Sequence, residues 1–323
     1  MSYRSVEGYN QSLIKKILAI PSDENEKAIP GVRKHINLGS TVDLMLSYDN
    51  FDDYIYVYNG NEPSETITKI VNNAYANDST ISDNSLEQAI ILCNYIGNQA
   101  WDMSRKIDEI RKKGEEYINF IFDSESKLIV SQKQYEQARA IKGTIETSTN
   151  TREFFNTPCN RQEEIYLTYN ELPLKAALDR VIIRENELQP IDYKVTDSHL
   201  TQWLFIAKKF RYDLQAAFYT FMLQLKYPDK KILPFKFIVA SSNPNVQPYV
   251  YTVSDNDLHV GRYGMDIKKE VIINKRIVEY KYHLSGFEDG LNIIKESLSL
   301  GLDDYDIESY KNGRSKLLNL WTT

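Results

Sequence analysis

The stretch KAALDRVIIRENELQPIDYKVT, residues 175–196, places two aspartates, and a lysine just after the second, in the most strand-like part of the chain. Asp179 and Asp192 are thirteen positions apart, and Lys194 follows the second Asp after one residue. Charged groups in a half-buried strand are costly unless they are paired or bind a metal ion. Side chains two apart on a strand share a face, so the pattern predicts that Asp192 and Lys194 lie together.

The surrounding residues predict an antiparallel meander of strands. β-Forming residues cluster in EIYLTY, LKAALDRVII and LQPIDYKV, with turn residues between them. The turn in RENELQ would bring Asp179 beside Asp192, at one end of the sheet. Carboxylate oxygens are ligands that Mg²⁺ and Mn²⁺ prefer. The alternative is a salt-bridged surface hairpin, in which an exposed Asp192–Lys194 pair adds little stability.

Length and composition restrict the class of protein. The chain has 323 residues, 42% hydrophobic, which is enough for one or two domains, and its formal net charge is −6. An acidic net charge does not exclude DNA binding, because DNA responds to the electrostatic field at the binding surface. The two cysteines, Cys93 and Cys159, lie far apart and argue against a disulfide framework, a zinc finger or an iron–sulfur cluster. Because the sequence has neither a membrane-length apolar run nor a signal-peptide core, we expect a cytoplasmic protein without membrane contact.

Outside the meander, the sequence predicts mostly helices. Short helices are expected in residues 9–21 and 63–76, two or three more between 85 and 145, and a long one from 198 to 227. Residues 22–35 read as a polar loop, and a Gly-Ser-Thr turn is expected at 39–41. Two further strands are expected in KILPFKFIVASS and PYVYTVS, and the tail from about 256 to 323 is expected to be mainly helical.

Four motifs, in order, resemble those of the PD-(D/E)XK nucleases, in particular the phage-type exonucleases grouped with lambda exonuclease, the RecE-like exonucleases and the RecB nuclease domain. LGSTVDLML resembles a G-[ST]-x-x-[HD] motif, with Asp43 where His is usual. Asp179 and the IDYKVT segment match the acidic and D-x-K positions. RYDLQAAFYTFML resembles a Q-x-x-x-Y motif, which gives Gln215 and Tyr219 on one helix face. The segment NQSLIKKILAIP also resembles the short opening helix of the RecE-like domains.

This resemblance implies an α/β fold: a restriction-endonuclease-like core with a mixed central sheet flanked by helices. The expected organisation is a helical region at 1–154 that carries the first motif, a nuclease core at 155–255 and a mainly helical region at 256–323. The three regions are expected to form one nuclease unit.

The resemblance also implies a metal-dependent DNA exonuclease. Asp43, Asp179, Asp192 and the backbone carbonyl of Tyr193 would hold Mg²⁺ or Mn²⁺. Lys194 would position a water molecule and offset charge on the phosphate. Gln215 and Tyr219 would support the site. Three basic residues lead into the Gln215 helix and are expected to contact DNA phosphates: Lys208, Lys209 and Arg211.

Several alternatives stay open from the residues alone. Asp43 also fits the start of a helix beside Ser40 and Thr41, which are good N-cap residues. Gln215 and Tyr219 also fit ordinary packing at the edge of a core, and the basic cluster also fits a solvated helix face.

At the level of function, the alternative is a nuclease-fold protein that binds DNA or recruits a partner without cutting. A CRISPR-associated nuclease with an iron–sulfur cluster conflicts with the two cysteines. The resemblance further suggests a role in phage or prophage DNA recombination or replication, a single-strand annealing protein as partner, and a homo-oligomer.

Overall fold

The structure is a computed structural model that describes residues 6–20, 38–58, 64–98, 100–123, 127–273 and 276–301. The chain divides into two compact units. Unit 1 comprises Met1–Glu24 and Gly143–Thr323, and unit 2 comprises Asn25–Lys142. In this division, residues 6–20 and 276–301 belong to the unit that holds the central sheet. The expected boundaries at 154 and 255 stay predictions.

The first half of the chain is mainly helical, as expected. A 3-10 turn at Phe51–Tyr54 precedes the first strand. The elements in chain order are α1 (Gln11–Ile17), α2 (Leu38–Ser47), β1 (Ile55–Tyr58), α3 (Glu65–Asn77), α4 (Asp83–Leu92), α5 (Met103–Asp123), β2 (Leu128–Ser131), α6 (Gln132–Thr147) and α7 (Arg152–Phe155).

The second half contains the long strands. A 3-10 turn at Leu200–Gln202 lies between the meander and the next helix. The elements are β3 (Cys159–Tyr169), β4 (Leu172–Ile183), β5 (Glu187–Thr196), α8 (Trp203–Lys209), α9 (Tyr212–Lys226), β6 (Lys231–Ile232), β7 (Lys236–Ser241), β8 (Tyr249–Thr252), α10 (Asp255–Tyr263), β9 (Met265–Ile273), β10 (Arg276–Leu284) and α11 (Phe287–Ser299).

The central sheet of unit 1 has six strands in the order β3-β4-β5-β7-β8, with the short β6 beside β5. β3, β4 and β5 form the antiparallel meander, whereas β5 and β7 run parallel. The crossover between those parallel strands contains α8 and α9, which is the usual way to join parallel neighbours. The predicted α/β fold, a mixed central sheet flanked by helices, is confirmed.

The core of unit 1 lies between this sheet and α9. Phe218 of α9, Phe235 before β7 and Phe287 of α11 are fully buried. The Phe218 and Phe287 rings meet edge to face, with centroids 5.5 Å apart, a favoured arrangement for aromatic pairs. Because α9 buries most of its residues, it fixes the position of any side chain that it directs at the sheet.

Unit 2 has a core of its own beneath α3, α4 and α5, which includes Ile70, Leu86 and Ile110. The expected helices are present there, and the short strand β2 lies between α5 and α6. That strand pairs in parallel with β1. None of the helices that the structure describes is both long enough and apolar enough to cross a bilayer.

Three local predictions are wrong. The long helix expected from 198 to 227 is divided into α8 and α9. The expected Gly-Ser-Thr turn at 39–41 lies inside α2, because a helix buries the apolar Val42, Met45 and Leu46 together with Thr41. The expected helical tail contains the antiparallel hairpin of β9 and β10 at 265–284. β-Branched residues in EVII and RIVEY favour strands there. The polar loop expected at 22–35 and the tail after residue 301 lie outside the described residues.

Candidate active site

The strands β4 and β5 separate where the two aspartates lie. Backbone pairing runs from Ile183–Leu188 to Arg180–Ile191. One step further, the register brings Asp179 level with Asp192, and there the Asp179 carboxylate accepts a hydrogen bond from the Tyr193 backbone N–H at 2.9 Å. Along its other edge, β5 pairs with β7 from Ile191 to Thr196. At Tyr193 the Asp179 side chain takes the place of a backbone partner from β4. Both carboxylates therefore lie where β4 and β5 separate.

Asp192 is held by two side chains. Its side chain is 3% exposed. The Gln215 amide donates to Oδ1 at 2.7 Å, and the Lys194 ammonium nitrogen lies 2.9 Å from Oδ2. Hydrogen bonds to an ionised acceptor are about twice as strong as neutral ones. The strand spacing therefore predicted the Asp192–Lys194 contact correctly, and α9 adds Gln215 to it. We call these residues with Asp179 the Asp–Lys site.

Tyr212, at the start of α9, connects the site to the N-terminal helix. The Lys194 nitrogen lies 5.0 Å from the centre of the Tyr212 ring, and the Lys15 nitrogen of α1 lies 5.2 Å from it. Both distances fit cation–π contacts. Lys15 is only 6% exposed. Sequence reasoning missed Lys15 and Tyr212, because nothing local to α1 or α9 indicates that these elements meet beside Lys194.

Tyr193 contributes its backbone to the site, while its side chain points to the opposite face. There its hydroxyl accepts a hydrogen bond from Arg180, whose guanidinium also lies 4.4 Å from the centre of the Phe155 ring and donates to the Cys159 sulfur. Burial raises the pKa of the Tyr193 phenol well above its usual value, so the hydroxyl stays protonated at neutral pH. These contacts hold β5 on the face of the sheet opposite to the Asp–Lys site.

The other predicted helix residue, Tyr219, lies one turn beyond Gln215 and is 9% exposed. Its ring centre lies 6.3 Å from that of Phe235, within the core of unit 1. Packing therefore accounts for its position, and its supporting role in a reaction stays a prediction.

Of the three residues predicted to contact phosphates, two are exposed and one is buried. Lys208 and Lys209 are exposed in the last turn of α8. Arg211 is 6% exposed, its guanidinium pairs with Asp213 at 2.9 Å, and it donates to the Ser285 carbonyl at 2.8 Å. Its backbone is left-handed, with a φ of 51°. Because its donors are used within the fold, Arg211 is better explained as a structural residue than as a DNA contact.

The last predicted ligand, Asp43, lies in α2 of unit 2, where the Ser47 hydroxyl is 3.5 Å from its carboxylate. The other predicted ligands belong to unit 1. Among the residues that the structure describes, no three His, Cys, Asp or Glu side chains are close enough to hold a metal ion together. The ligand role of Asp43 stays a prediction.

The donor chemistry of the Asp–Lys site suits a hard cation. Mg²⁺ keeps several water ligands and is commonly held by one or two protein carboxylates. Asp179, Asp192 and the Tyr193 carbonyl supply such oxygens on adjacent strands. Binding through Asp192 Oδ2 would require Lys194 to move away from it. The residues present therefore fit a hydrated ion better than a cage made only of protein ligands.

Comparisons with known proteins give no family assignment. No family model and no curated protein matches the chain. A crystal structure from Eubacterium rectale, provisionally described as an exonuclease, shares 14% identity and covers 60% of this chain and 73% of its own, with a TM-score of 0.33. The structure of SSO0001 shares 11% identity and covers 64% of this chain and 79% of its own, with a TM-score of 0.24. Likeness this low carries no argument about function.

Proposed function

We propose that the protein is a nuclease that hydrolyses DNA phosphodiester bonds at the Asp–Lys site with the help of Mg²⁺ or Mn²⁺. The observation that supports this most strongly is the buried carboxylate of Asp192, held between Lys194 and Gln215 next to Asp179. Buried ionic groups contribute little net stability after desolvation. The fixed orientation of these buried groups therefore favours a chemical role.

Each side chain has a distinct part in this proposal. A bound divalent ion would polarise the phosphate and lower the pKa of a water molecule. Gln215 fixes the orientation of Asp192, and Asp179 holds the β5 backbone through the Tyr193 N–H. The Lys194 ammonium would exchange its contact with Asp192 for the attacking water or a phosphate oxygen. A positive charge placed where negative charge develops stabilises the transition state.

Action at DNA ends is the finer part of the proposal, and it rests on the motif resemblance alone. The order of Asp43, Asp179, the D-x-K segment and the Q-x-x-x-Y segment is that of the end-processing branch. A phage role, an annealing partner and a homo-oligomer have the same basis, and the proposed chemistry does not depend on them.

A second candidate is a protein that binds DNA without cutting it. One observation favours it: both carboxylate oxygens of Asp192 already contact protein side chains. In that case the Asp–Lys site would only hold β5 against α9.

The two candidates are separated by incubating the protein with end-labelled linear duplex DNA and with a closed circular duplex, each with Mg²⁺ or Mn²⁺. Loss of the linear DNA alone would support an exonuclease. Cleavage of the circle as well would replace it with an endonuclease. Retention of DNA in a gel without cleavage under either metal would favour the second candidate.

A further inference from the structure

Helix α8 exposes two large apolar side chains beside two lysines. Phe205 is 78% exposed, the largest exposed fraction among the large apolar residues that the structure describes, and Leu204 is 59% exposed. Lys208 and Lys209 follow four positions after them and are also exposed. Residues four apart lie on the same side of a helix. Together they form one mixed apolar and basic surface, which we call the α8 face.

The opposite side of α8 is anchored in the core. Trp203 is 3% exposed, and its ring lies 4.7 Å from Tyr251 and 5.2 Å from Phe237, measured between ring centres. Ile206 and Ala207 also pack against this core. Phe205 therefore does not project from a loose segment. The Phe205 ring is exposed to solvent on a helix that is anchored in the core, which suits a surface that contacts another molecule.

The buried side of α8 is connected to the Asp–Lys site through the Tyr212 ring. Tyr212 lies with its ring centre 5.7 Å from that of Trp203, and the Lys194 nitrogen is 5.0 Å from the same ring. Along the chain, α8 also joins the strand that carries Lys194 to the helix that carries Gln215. The side of α8 opposite to the α8 face thus packs against the ring that Lys194 contacts, which places the helix beside the Asp–Lys site.

We infer that the α8 face binds an unpaired stretch of DNA next to the scissile bond, with Phe205 stacked on a base and the two lysines on flanking phosphates. This rests on the proposed function in taking DNA as the substrate. Aromatic rings stack on any base, whereas lysines contact the backbone. Within a duplex the base faces are covered, so the surface selects an unpaired end. The basic residues favour this polyanion over an apolar protein partner.

Binding is measured by fluorescence anisotropy of a labelled single-stranded oligonucleotide in EDTA, which prevents metal-dependent cleavage. Phe205→Ala should weaken binding by about tenfold, within the range for loss of one stacked base. Phe205→Tyr should bind like the wild type, because a phenol ring stacks equally well. Leu92→Ala serves as the matched control: Leu92 is 67% exposed but lies in unit 2, and its loss should leave binding unchanged.

The contribution of the two lysines is measured by the salt dependence of binding. Lys208→Gln and Lys209→Gln should each make the salt dependence of binding shallower, by about 0.7 in the slope of log K against log salt for a single strand. An unchanged slope in both variants would contradict the phosphate contacts.

Stacking of a base on Phe205 is also measured by fluorescence, independently of the binding affinity. An oligonucleotide with 2-aminopurine near its end should lose fluorescence on binding to the wild type and to Phe205→Tyr. It should keep its fluorescence when saturated with Phe205→Ala. Thermal unfolding of the variants should match the wild type, since Phe205 is exposed.

The outcomes distinguish this inference from the proposed function. If the wild type cuts DNA but Phe205→Ala binds and quenches like the wild type, the α8 face is not the binding surface and the nuclease proposal stands. If oligonucleotide binding depends on Phe205 but nothing is cut, the nuclease proposal fails and the binding surface stands. A change in oligomeric mass for Phe205→Ala by light scattering, with unchanged DNA binding, would overturn the inference in favour of a protein interface.

Discussion

Asp192 is a buried carboxylate whose two oxygens have different partners. The contact with Lys194 follows from strand periodicity and was predictable from the sequence. The contact with Gln215 joins residues 23 positions apart on different elements; the motif resemblance placed Gln215 at the site but did not name Asp192 as its partner. The Lys15–Tyr212 contact had no signal in the sequence at all. At the scale of residues, local spacing predicts neighbours on one element, whereas contacts between elements depend on tertiary packing.

Replacement of Gln215 by Leu should lower the free energy of unfolding by about 1–3 kcal/mol. The substitution leaves the buried Asp192 carboxylate without its amide donor, and an unsatisfied buried charged acceptor is costly. Urea unfolding measures this, with Gln202→Leu as an exposed control. In Asp192→Asn, the same Gln215 substitution should be less destabilising. Equal effects in the two backgrounds would mean that the hydrogen bond does not carry the stability.

His283 should make stability depend on pH. Its ring nitrogens lie 2.9 Å from Asp266 and 3.1 Å from Asp289, and these hydrogen bonds raise its pKa above the usual value. The stabilisation is therefore complete below the unfolded pKa of about 6.5 and is lost as the pH rises through the folded pKa. We expect His283→Gln to lower the melting temperature more at about pH 5.5 than at about pH 9.

The control for this prediction removes the carboxylates. In an Asp266→Asn, Asp289→Asn background, the effect of His283→Gln should be the same at both pH values. A larger effect of His283→Gln at the higher pH in the otherwise unchanged chain would contradict the assignment.

At the scale of elements, the strands of the meander were predicted because β-forming runs alternate with turn residues. The hairpin of β9 and β10 was missed, because charged residues interrupt its β-branched runs. The spacing of apolar residues there does not distinguish a helix from a strand. The break between α8 and α9 was also missed. It depends on the left-handed backbone of Arg211, which is held by Asp213 and Ser285.

Two helical glycines should respond oppositely to alanine. At Gly261 of α10, a Cβ atom would overlap the Asp213 carbonyl oxygen, so α10 and α9 would have to separate. Gly261→Ala should therefore destabilise the protein by about 1–3 kcal/mol. At Gly143 of α6, a Cβ atom has nothing within 4 Å, and Gly143→Ala should stabilise by about 0.5–1 kcal/mol. Chemical unfolding that gave both variants the same sign would contradict the close packing of α9 and α10.

At the scale of the whole molecule, the sequence indicated a change from helical to strand-rich character but not the two units that the contacts define. Unit 1 is discontinuous in sequence, because α1 before the inserted unit 2 packs with α9 and α11. Such long-range grouping cannot be derived from composition or periodicity. Unit 2 contains the helices around Ile110, and unit 1 the core around Phe218.

Cavities in the two cores should have separate effects. Ile110→Ala and Phe218→Ala each remove a fully buried side chain, with an expected loss of about 2–5 kcal/mol. Hydrogen exchange followed by mass spectrometry should show faster exchange mainly in unit 2 for Ile110→Ala and mainly in unit 1 for Phe218→Ala. The same exchange pattern in both variants would contradict separate cores.

The most direct test of the proposed chemistry is the rate at which end-labelled linear duplex DNA is cleaved with Mg²⁺ by the wild type, Asp192→Asn and Asp197→Asn. Asp197 is an exposed carboxylate just beyond β5 and serves as the matched control. We predict that Asp192→Asn lowers the rate by at least about a hundredfold, while Asp197→Asn leaves it unchanged. Cleavage at the wild-type rate by a folded Asp192→Asn variant would contradict the assignment of the reaction to the Asp–Lys site.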